Sequence, residues 1–435
     1  MPRDKTRNWL SMGVVWSGVG ISLGLLLTGG TIGNGMTLPA AVVASFIGGV
    51  LLALIASATG MVGNRTHLST AMISRFTFGK QAILLIAFIQ ALGSYGWFAV
   101  QLGLFGETAA VSWQSLTGGS LPGALFIVVG GLLMISTAIF GYKGIEVLSK
   151  AAVPLMLLLI GASVWRIMSD SALSDVWALE GSGEPVSMGV GISLVVSSFV
   201  VGAVIAPDVS RYSKSSAHTI GGAVFAFAVV TPVVLVTGTL MAQATGTWDI
   251  VDIMLRLGWG VLALFLLMFA QWTSNDNNLY GAALALAVMF SSLQKWQLTL
   301  IAGIVGILLA LAGIYDNFIT FLSVLGILIP PMAGVIVADY FFIRKYRYAT
   351  AAEHQIKSIR MLPMAAWAIG SLVAMLTTYT AFTLTTVPAL DGLLVAGILQ
   401  YLLGRYVEAG PEPATAAPAQ THPAQTPLAP EPTSD

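Results

Sequence analysis

Apolar residues recur along this chain in long unbroken runs separated by short polar segments. Roughly 20 apolar residues in a helix cross about 30 Å of hydrocarbon. The chain offers twelve such runs, at 11–30, 37–61, 81–110, 122–141, 146–168, 187–207, 217–242, 258–290, 297–314, 317–343, 362–385 and 388–407. The pattern predicts an all-α polytopic membrane protein with twelve transmembrane helices. Two runs, 81–110 and 258–290, are longer than a bilayer requires, which predicts tilt or extra turns outside it. Inside the second lies an anomaly, the stretch QWTSNDNNLY from Gln271 to Tyr280. Hydrocarbon penalises so many unpaired polar side chains, so they must face a protein-lined cavity.

Helical geometry divides that stretch into two stripes. With about 100° between successive residues, Ala270, Thr273, Ser274 and Asn277 share one face, while Gln271, Asn275 and Asn278 share the neighbouring one. The hydroxyls of Thr273 and Ser274 are uncharged, hard oxygen donors. With carbonyls freed from a broken helix, they suit a small alkali cation. The amides both donate and accept in one plane, as a small planar heterocycle requires. Such groups also join helix to helix in membranes, but their density here favours the ligand reading. Aromatic faces complete a heterocycle site. The third run places Ser94, Trp97 and Gln101 about one turn apart on one face, and the sixth places Phe199 beside an expected break.

Helix breakers pair across the two halves of the chain. The first run carries Gly18, Gly20 and Gly24 ahead of TGGTIGNG at Thr28 to Gly35, and the sixth carries SSFVVGAVIAP with Gly202 and Pro207. Pro154 in the fifth run corresponds to Pro330 and Pro331 in the tenth, where a missing amide and a ring clash loosen a helix. Inverted repeats with broken first helices are a recurrent transporter design. The expected organisation begins with a cytoplasmic N-terminus at 1–10 and a first five-span repeat at 11–168. A second repeat at 187–343 follows, making a five-plus-five inverted repeat with broken first and sixth helices; two further spans lie at 362–407. The Pro-, Ala- and Thr-rich segment 408–435 reads as a disordered cytoplasmic tail.

Loop charge orients the set. With both termini cytoplasmic, only Arg166 and Arg256 of the 19 basic residues fall outside, in keeping with the positive-inside rule. Hydrophobic residues make up 56% of the chain and charged ones 9%, with zero formal net charge, which leaves no basic surface for nucleic acid. Four histidines and no cysteine offer no zinc cluster and no thiol chemistry, so no prosthetic group is expected. The first run lacks a small-residue cleavage pattern and reads as a retained span. An intramembrane enzyme would need a nucleophile beside a base or metal, which the polar stretch does not provide. A channel lined by polar stripes is the other alternative.

Several segments together are similar to the nucleobase:cation symporter family, and within it to the bacterial cytosine permeases. They are WTSNDNNLYGAALA at Trp272 to Ala285, TGGTIGNG, THLSTAMISRFTFG at Thr66 to Gly79, and GWF at Gly96 to Phe98. SSF with PDVSRY at Ser197 to Tyr212 and IPPMAGVIVADYF at Ile329 to Phe341 complete the set, and the resemblance runs from about Asn8 to about Tyr406. It implies a twelve-span fold and import of a nucleobase by alternating access, coupled to sodium or alternatively to a proton. It also implies an aromatic sandwich of Trp97 and Phe199, with hydrogen bonds to the base from Ser198, the backbone at Gly202, and Asn275. The implied sodium site comprises the carbonyls of Gly18, Ile21 and Ala270 with the hydroxyls of Thr273 and Ser274.

The chain departs from that pattern at the ring's edge. Ser94 stands where the cytosine permeases have glutamine, Gln101 where they have a small residue, and Val201 where a serine is expected. A polar residue at the position of Gln101 resembles relatives that take hydantoins or purines. An importer of a hydantoin, allantoin or hydroxymethylpyrimidine-like heterocycle is therefore the alternative. Lys150 resembles lysines that replace sodium in proton-coupled relatives, although snorkelling to the interface is the simpler account. Asp208, Arg211 and Asp339 are expected to pair or gate at cytoplasmic helix ends, and Asp276 to pair structurally. Gln271 and Asn278 are expected to support the site, and His67 and His218 to lie near cytoplasmic ends. The expected location is the inner membrane.

Overall fold

The computed structural model describes residues 6–140, 142–170, 172–290, 292–346, 348 and 357–407. The side chain of Lys150 and the tail from residue 408 lie outside the described residues. Helices α1 (Trp9–Gly20) and α2 (Leu23–Asn34) are halves of one apolar run, bent by 64° where they meet. Then come α3 (Leu38–Thr66), the short α4 (Thr70–Phe78), α5 (Ile83–Thr117), α6 (Gly123–Phe140), α7 (Tyr142–Asp170) and α8 (Leu173–Trp177). Next, α9 (Met188–Val204) and α10 (Pro207–Ser210) share a run, and α11 (Ser216–Ala223) and α12 (Thr231–Thr245) flank a π-helical turn at Val224–Val230. The chain continues through α13 (Ile250–Arg256), α14 (Gly260–Met289), α15 (Lys295–Leu311) and α16 (Phe318–Ala338). A second π-helical turn at Asp339–Ile343 precedes α17 (Met361–Tyr379) and α18 (Pro388–Val407). Among the described residues, six helical stretches are long and apolar enough to cross a membrane, and the bent pair counts as a seventh.

Local chemistry sets the ends of these helices. The Thr37 side chain accepts from the Ala40 amide at 3.4 Å with Pro39 in the first turn of α3, and Asp249 accepts from the Val251 and Asp252 amides at 2.7 and 3.0 Å at the start of α13. Left-handed Gly118 and Gly246, with φ of 73° and 71°, terminate α5 and α12.

TGGTIGNG is not where the first run unwinds. Its residues through Asn34 are helical, and the break lies earlier, at Ile21 and Ser22. The glycines serve packing instead. A Cβ on Gly33 would lie 2.8 Å from Thr239 Cγ2, and one on Gly29 would overlap the Leu235 carbonyl. Spaced four apart, they bring α2 against α12 as small residues do in membranes. Thr239 donates to the Gly29 carbonyl at 2.8 Å, and Gln243 donates to the Gly33 and Met36 carbonyls at 3.0 and 2.8 Å. In the sixth run Gly202 stays inside α9, its open side filled by Phe199 and Trp16. The interruption falls at residues 205–206, ahead of Pro207, which has no amide to continue the ladder.

Two packed cores meet at the polar stretch. One contains Trp16, Phe199, Phe227, Leu322 and Ala270; the other contains Phe98, Phe105, Met134, Leu279 and Ala282. Helix α14 passes from the first core to the second between Ala270 and Leu279, where its sequence turns polar. Helix α5 changes cores more abruptly, with Trp97 against the first and Phe98 within the second.

A buried ionic knot closes the end of α16. Asp339 is fully buried and accepts from Arg344 Nε at 3.0 Å, Arg360 Nη2 at 2.9 Å and Gln400 Nε2 at 3.2 Å. Arg360 also donates to the Phe76 and Thr77 carbonyls at the end of α4, at 2.9 and 2.6 Å. These partners satisfy a charge that would otherwise be costly to bury. Asp208 accepts from the Thr70 amide at 2.9 Å and so fixes the start of α4, while His67 Nδ1 lies 3.0 Å from the Arg211 carbonyl.

Candidate substrate and cation site

The break in the first run frees carbonyls. The Ile21 amide makes the last bond of α1, to the Ser17 carbonyl at 2.7 Å. The next amide, of Ser22, turns back to the Gly20 carbonyl at 2.9 Å, so it no longer serves Gly18 as a continuing helix would. Ile21 itself leaves the helix with φ −78° and ψ 76°. Gly18 is exposed, and a Cβ there would meet nothing within 4 Å.

An aromatic ring lies on each side of that break. Phe199 fits between two glycines: a Cβ on Gly20 would lie 3.0 Å from its Cε1, and one on Gly202 2.7 Å from its Cε2. It packs edge-on to Trp16 at 6.4 Å and tilted against Phe227 at 4.8 Å. Trp97 rests on Gly24, where a Cβ would be 2.6 Å from Cζ3, and its sides meet Phe318 and Phe321 edge-on at 5.7 and 5.4 Å. The two rings therefore bracket the break through glycines four positions apart, without being a stacked pair themselves.

The polar residues divide by partner. Ser198 is buried and donates to the Val195 carbonyl at 2.7 Å. Val201 faces α5, where a Cβ on Gly93 would lie 2.9 Å from its Cγ2. Ser94 faces α14, its Oγ 3.3 Å from where Gly281 would carry a Cβ. Gln101 is buried with Oε1 unpaired. On α14, Thr273 is buried and donates to the Ala270 carbonyl at 3.0 Å, and Ser274 is half-buried. Asn275 is fully buried and is held by neighbours: it donates to the Phe98 carbonyl at 3.2 Å and accepts from Asn278 at 3.2 Å. Asp276 and Trp272 both bond Thr137 of α6, at 3.0 Å each. The side chain of Asn277 lies outside the described residues.

The pairing state of two buried side chains escapes the sequence reading, and one of them, Ser17, is not singled out there at all. The Ser17 hydroxyl, one turn before the break, is buried without a partner, as are both polar atoms of Gln271. Only packing distinguishes these from ordinary helix-bonding residues. The donor set at the break consists of neutral carbonyls and hydroxyls, which fits an alkali cation better than a transition metal. Among the described residues, no three His, Cys, Asp or Glu side chains group to hold a metal.

A broken membrane helix with free carbonyls, bracketed by aromatic rings, is the arrangement of a multi-pass membrane transporter. The chain belongs to the family described as permeases for cytosine/purines, uracil, thiamine and allantoin, which it matches over residues 2–404. It is 32% identical over 370 residues to the cytosine permease of Escherichia coli (strain K12), spanning 85% of this chain and 86% of that one. It is 23% identical over 414 residues to the hydantoin permease of Microbacterium maritypicum, spanning 87% and 83%. Its fold is similar to that of Mhp1 in the inward-facing conformation, with a TM-score of 0.79, 20% identity and 93% of each chain covered.

Proposed function

We propose that this transporter imports a nucleobase or closely related planar heterocycle across the inner membrane, by symport with sodium and alternating access. The break at Ile21 and Ser22 carries the reading, because it interrupts the helix ladder between two aromatic rings and so supports carbonyl ligands for a cation beside a flat substrate. The chain is read as twelve spans with both termini cytoplasmic, residues 11–168 and 187–343 forming a five-plus-five inverted repeat. Trp97 and Phe199 take the ring's faces. Ser198, the Gly202 backbone, Ser94 and Gln101 take its edge, and Asn275 fixes α14 to α5 beside it.

Sodium takes the carbonyls of Gly18, Ile21 and Ala270 with the hydroxyls of Thr273 and Ser274. Such an ion joins α14 to the broken helix and steadies the slot, so each ligand raises the other's affinity by the same factor. Two relatives frame the substrate: one is a cytosine permease and the other a hydantoin permease. The buried, unpaired Gln101 Oε1 favours the second reading, a hydantoin- or allantoin-like ring.

Uptake of labelled cytosine, uracil and hydantoin into proteoliposomes tests the proposal. Accumulation of one of them under an inward sodium gradient, with counterflow after preloading, is expected. Accumulation driven equally by a pH gradient without sodium would replace sodium by a proton. Flux without counterflow would replace the carrier by a pore.

A further inference from the structure

Helices α5 and α14 lie antiparallel along a polar seam. Ser94 meets Gly281, Asn275 Nδ2 reaches the Phe98 carbonyl at 3.2 Å, and the rings of Phe105 and Trp272 meet at 6.5 Å. Residue 101 falls between 98 and 105 on the same stripe, so Gln101 stands opposite the turn from Trp272 to Asn275. Gln271 precedes Asn275 by four residues on its own stripe, at that same level. Both side chains are buried, Gln271 completely. Gln101 Oε1, Gln271 Oε1 and Gln271 Nε2 have no hydrogen-bond partner.

Three unpaired polar atoms in one sealed seam are expensive. Gln101 lies one turn beyond Trp97 on α5, and the three atoms sum to two acceptors and one donor. We propose that Gln271 is a specificity-determining residue that, with Gln101, reads a substrate edge carrying two N–H donors around a carbonyl. A cyclic –NH–CO–NH– unit supplies that complement. Cytosine, with one N–H and a bare ring nitrogen flanking its carbonyl, does not. The inference rests on the heterocycle-transport reading and names the chemistry of that site.

Binding to the purified full-length protein, followed by calorimetry in sodium, tests it with uracil, 1-methyluracil, 3-methyluracil and cytosine. Uracil is expected to bind more tightly than cytosine and than either methylated ring. Gln271→Leu, similar in size and apolar, is expected to cost uracil about tenfold or more, since one lost hydrogen bond in a dry site is worth about that factor. The same substitution is expected to leave sodium binding unchanged and one of the two methyluracils within about twofold, the one whose methyl already blocks the N–H that faces Gln271, while the other repeats the loss. Its melting temperature without ligand is expected to equal or exceed the parent's, since a buried unpaired amide is removed, and this reports folding independently. Gln101→Leu is expected to repeat the loss for uracil. Equal weakening of all four rings, or unchanged uracil binding, would overturn the role of Gln271 while leaving the transporter reading intact. Failure of the parent protein to bind any ring, hydantoin included, would overturn the transporter reading itself.

Discussion

The indole of Trp97 lies against Gly24, so closely that a Cβ there would stand 2.6 Å from Cζ3. Gly24 opens the second half of the broken helix, and the ring therefore registers any movement of that half. Gly24→Ala forces ring or helix to shift, an overpacking that costs about 1–3 kcal/mol. The variant is expected to melt earlier and to lose most uptake. Gly18→Ala, where a Cβ meets nothing within 4 Å, is expected to melt like the parent. Thermal unfolding of the two variants side by side checks the contrast.

Thr273 and Ser274 supply the α14 hydroxyls of the proposed cation site. Replacing both by alanine removes the two proposed oxygen ligands along with the Thr273 bond to the Ala270 carbonyl. Sodium-stimulated uptake is expected to vanish while the protein remains folded and monodisperse. Transport into vesicles across a range of sodium concentrations measures this, and an unaltered sodium dependence counts against the site.

Asp339 owes its burial to Arg360, Arg344 and Gln400. Arg360→Met leaves that carboxylate short of its main partner and takes a donor from the Thr77 carbonyl and from the Phe76 carbonyl, which keeps Arg344 Nη2 at 3.1 Å. Breaking a buried pair from one side costs about 3–5 kcal/mol. The double variant with Asp339→Leu is expected to recover part of the loss, and differential scanning fluorimetry of the single and double variants reads the difference.

Tyr315, between α15 and α16, donates to Asp249 at 3.0 Å. Burial, then the carboxylates of Asp249 and Glu107, push its hydroxyl above the ordinary tyrosine value. An acid whose folded value is raised contributes its full stability below the unfolded value, about 10, and loses it as pH rises beyond. The parent is therefore expected to lose melting temperature above pH 10 more steeply than Tyr315→Phe. Near neutrality the variant gives up about 0.5–1.5 kcal/mol of hydrogen bonding.

Sequence periodicity revealed the helical class and the polar stretch because lipid imposes a simple rule on which residues it touches. The break in the first run was legible as a cluster of glycines, but not its position. Glycine admits both an unwound turn and a close helix contact, and only the partner decides. Gly29 and Gly33 found α12, whereas Gly20 and Gly24 found rings. The π-helical turn at Val224–Val230 has no compositional mark of its own. Asn275 was visible as an amide on the polar stripe, yet its bonds to Phe98 and Asn278 depend on how α5 crosses α14, which no local pattern encodes. Gln271 was visible too, and only the absence of neighbours for its amide distinguishes it from a support.

The knot at Asp339 also dictates an order of events during synthesis. Domains emerge from the ribosome N-terminus first, so the carboxylate leaves it before Arg360 and well before Gln400 on the last helix. Until α17 and α18 arrive, the tenth run holds an acidic group with Arg344 as its nearby cation. The final hairpin therefore acts as a seal, and a chain cut short before residue 357 would leave the Asp339 carboxylate to the half-buried Arg344, without the buried guanidinium and amide that complete its shell.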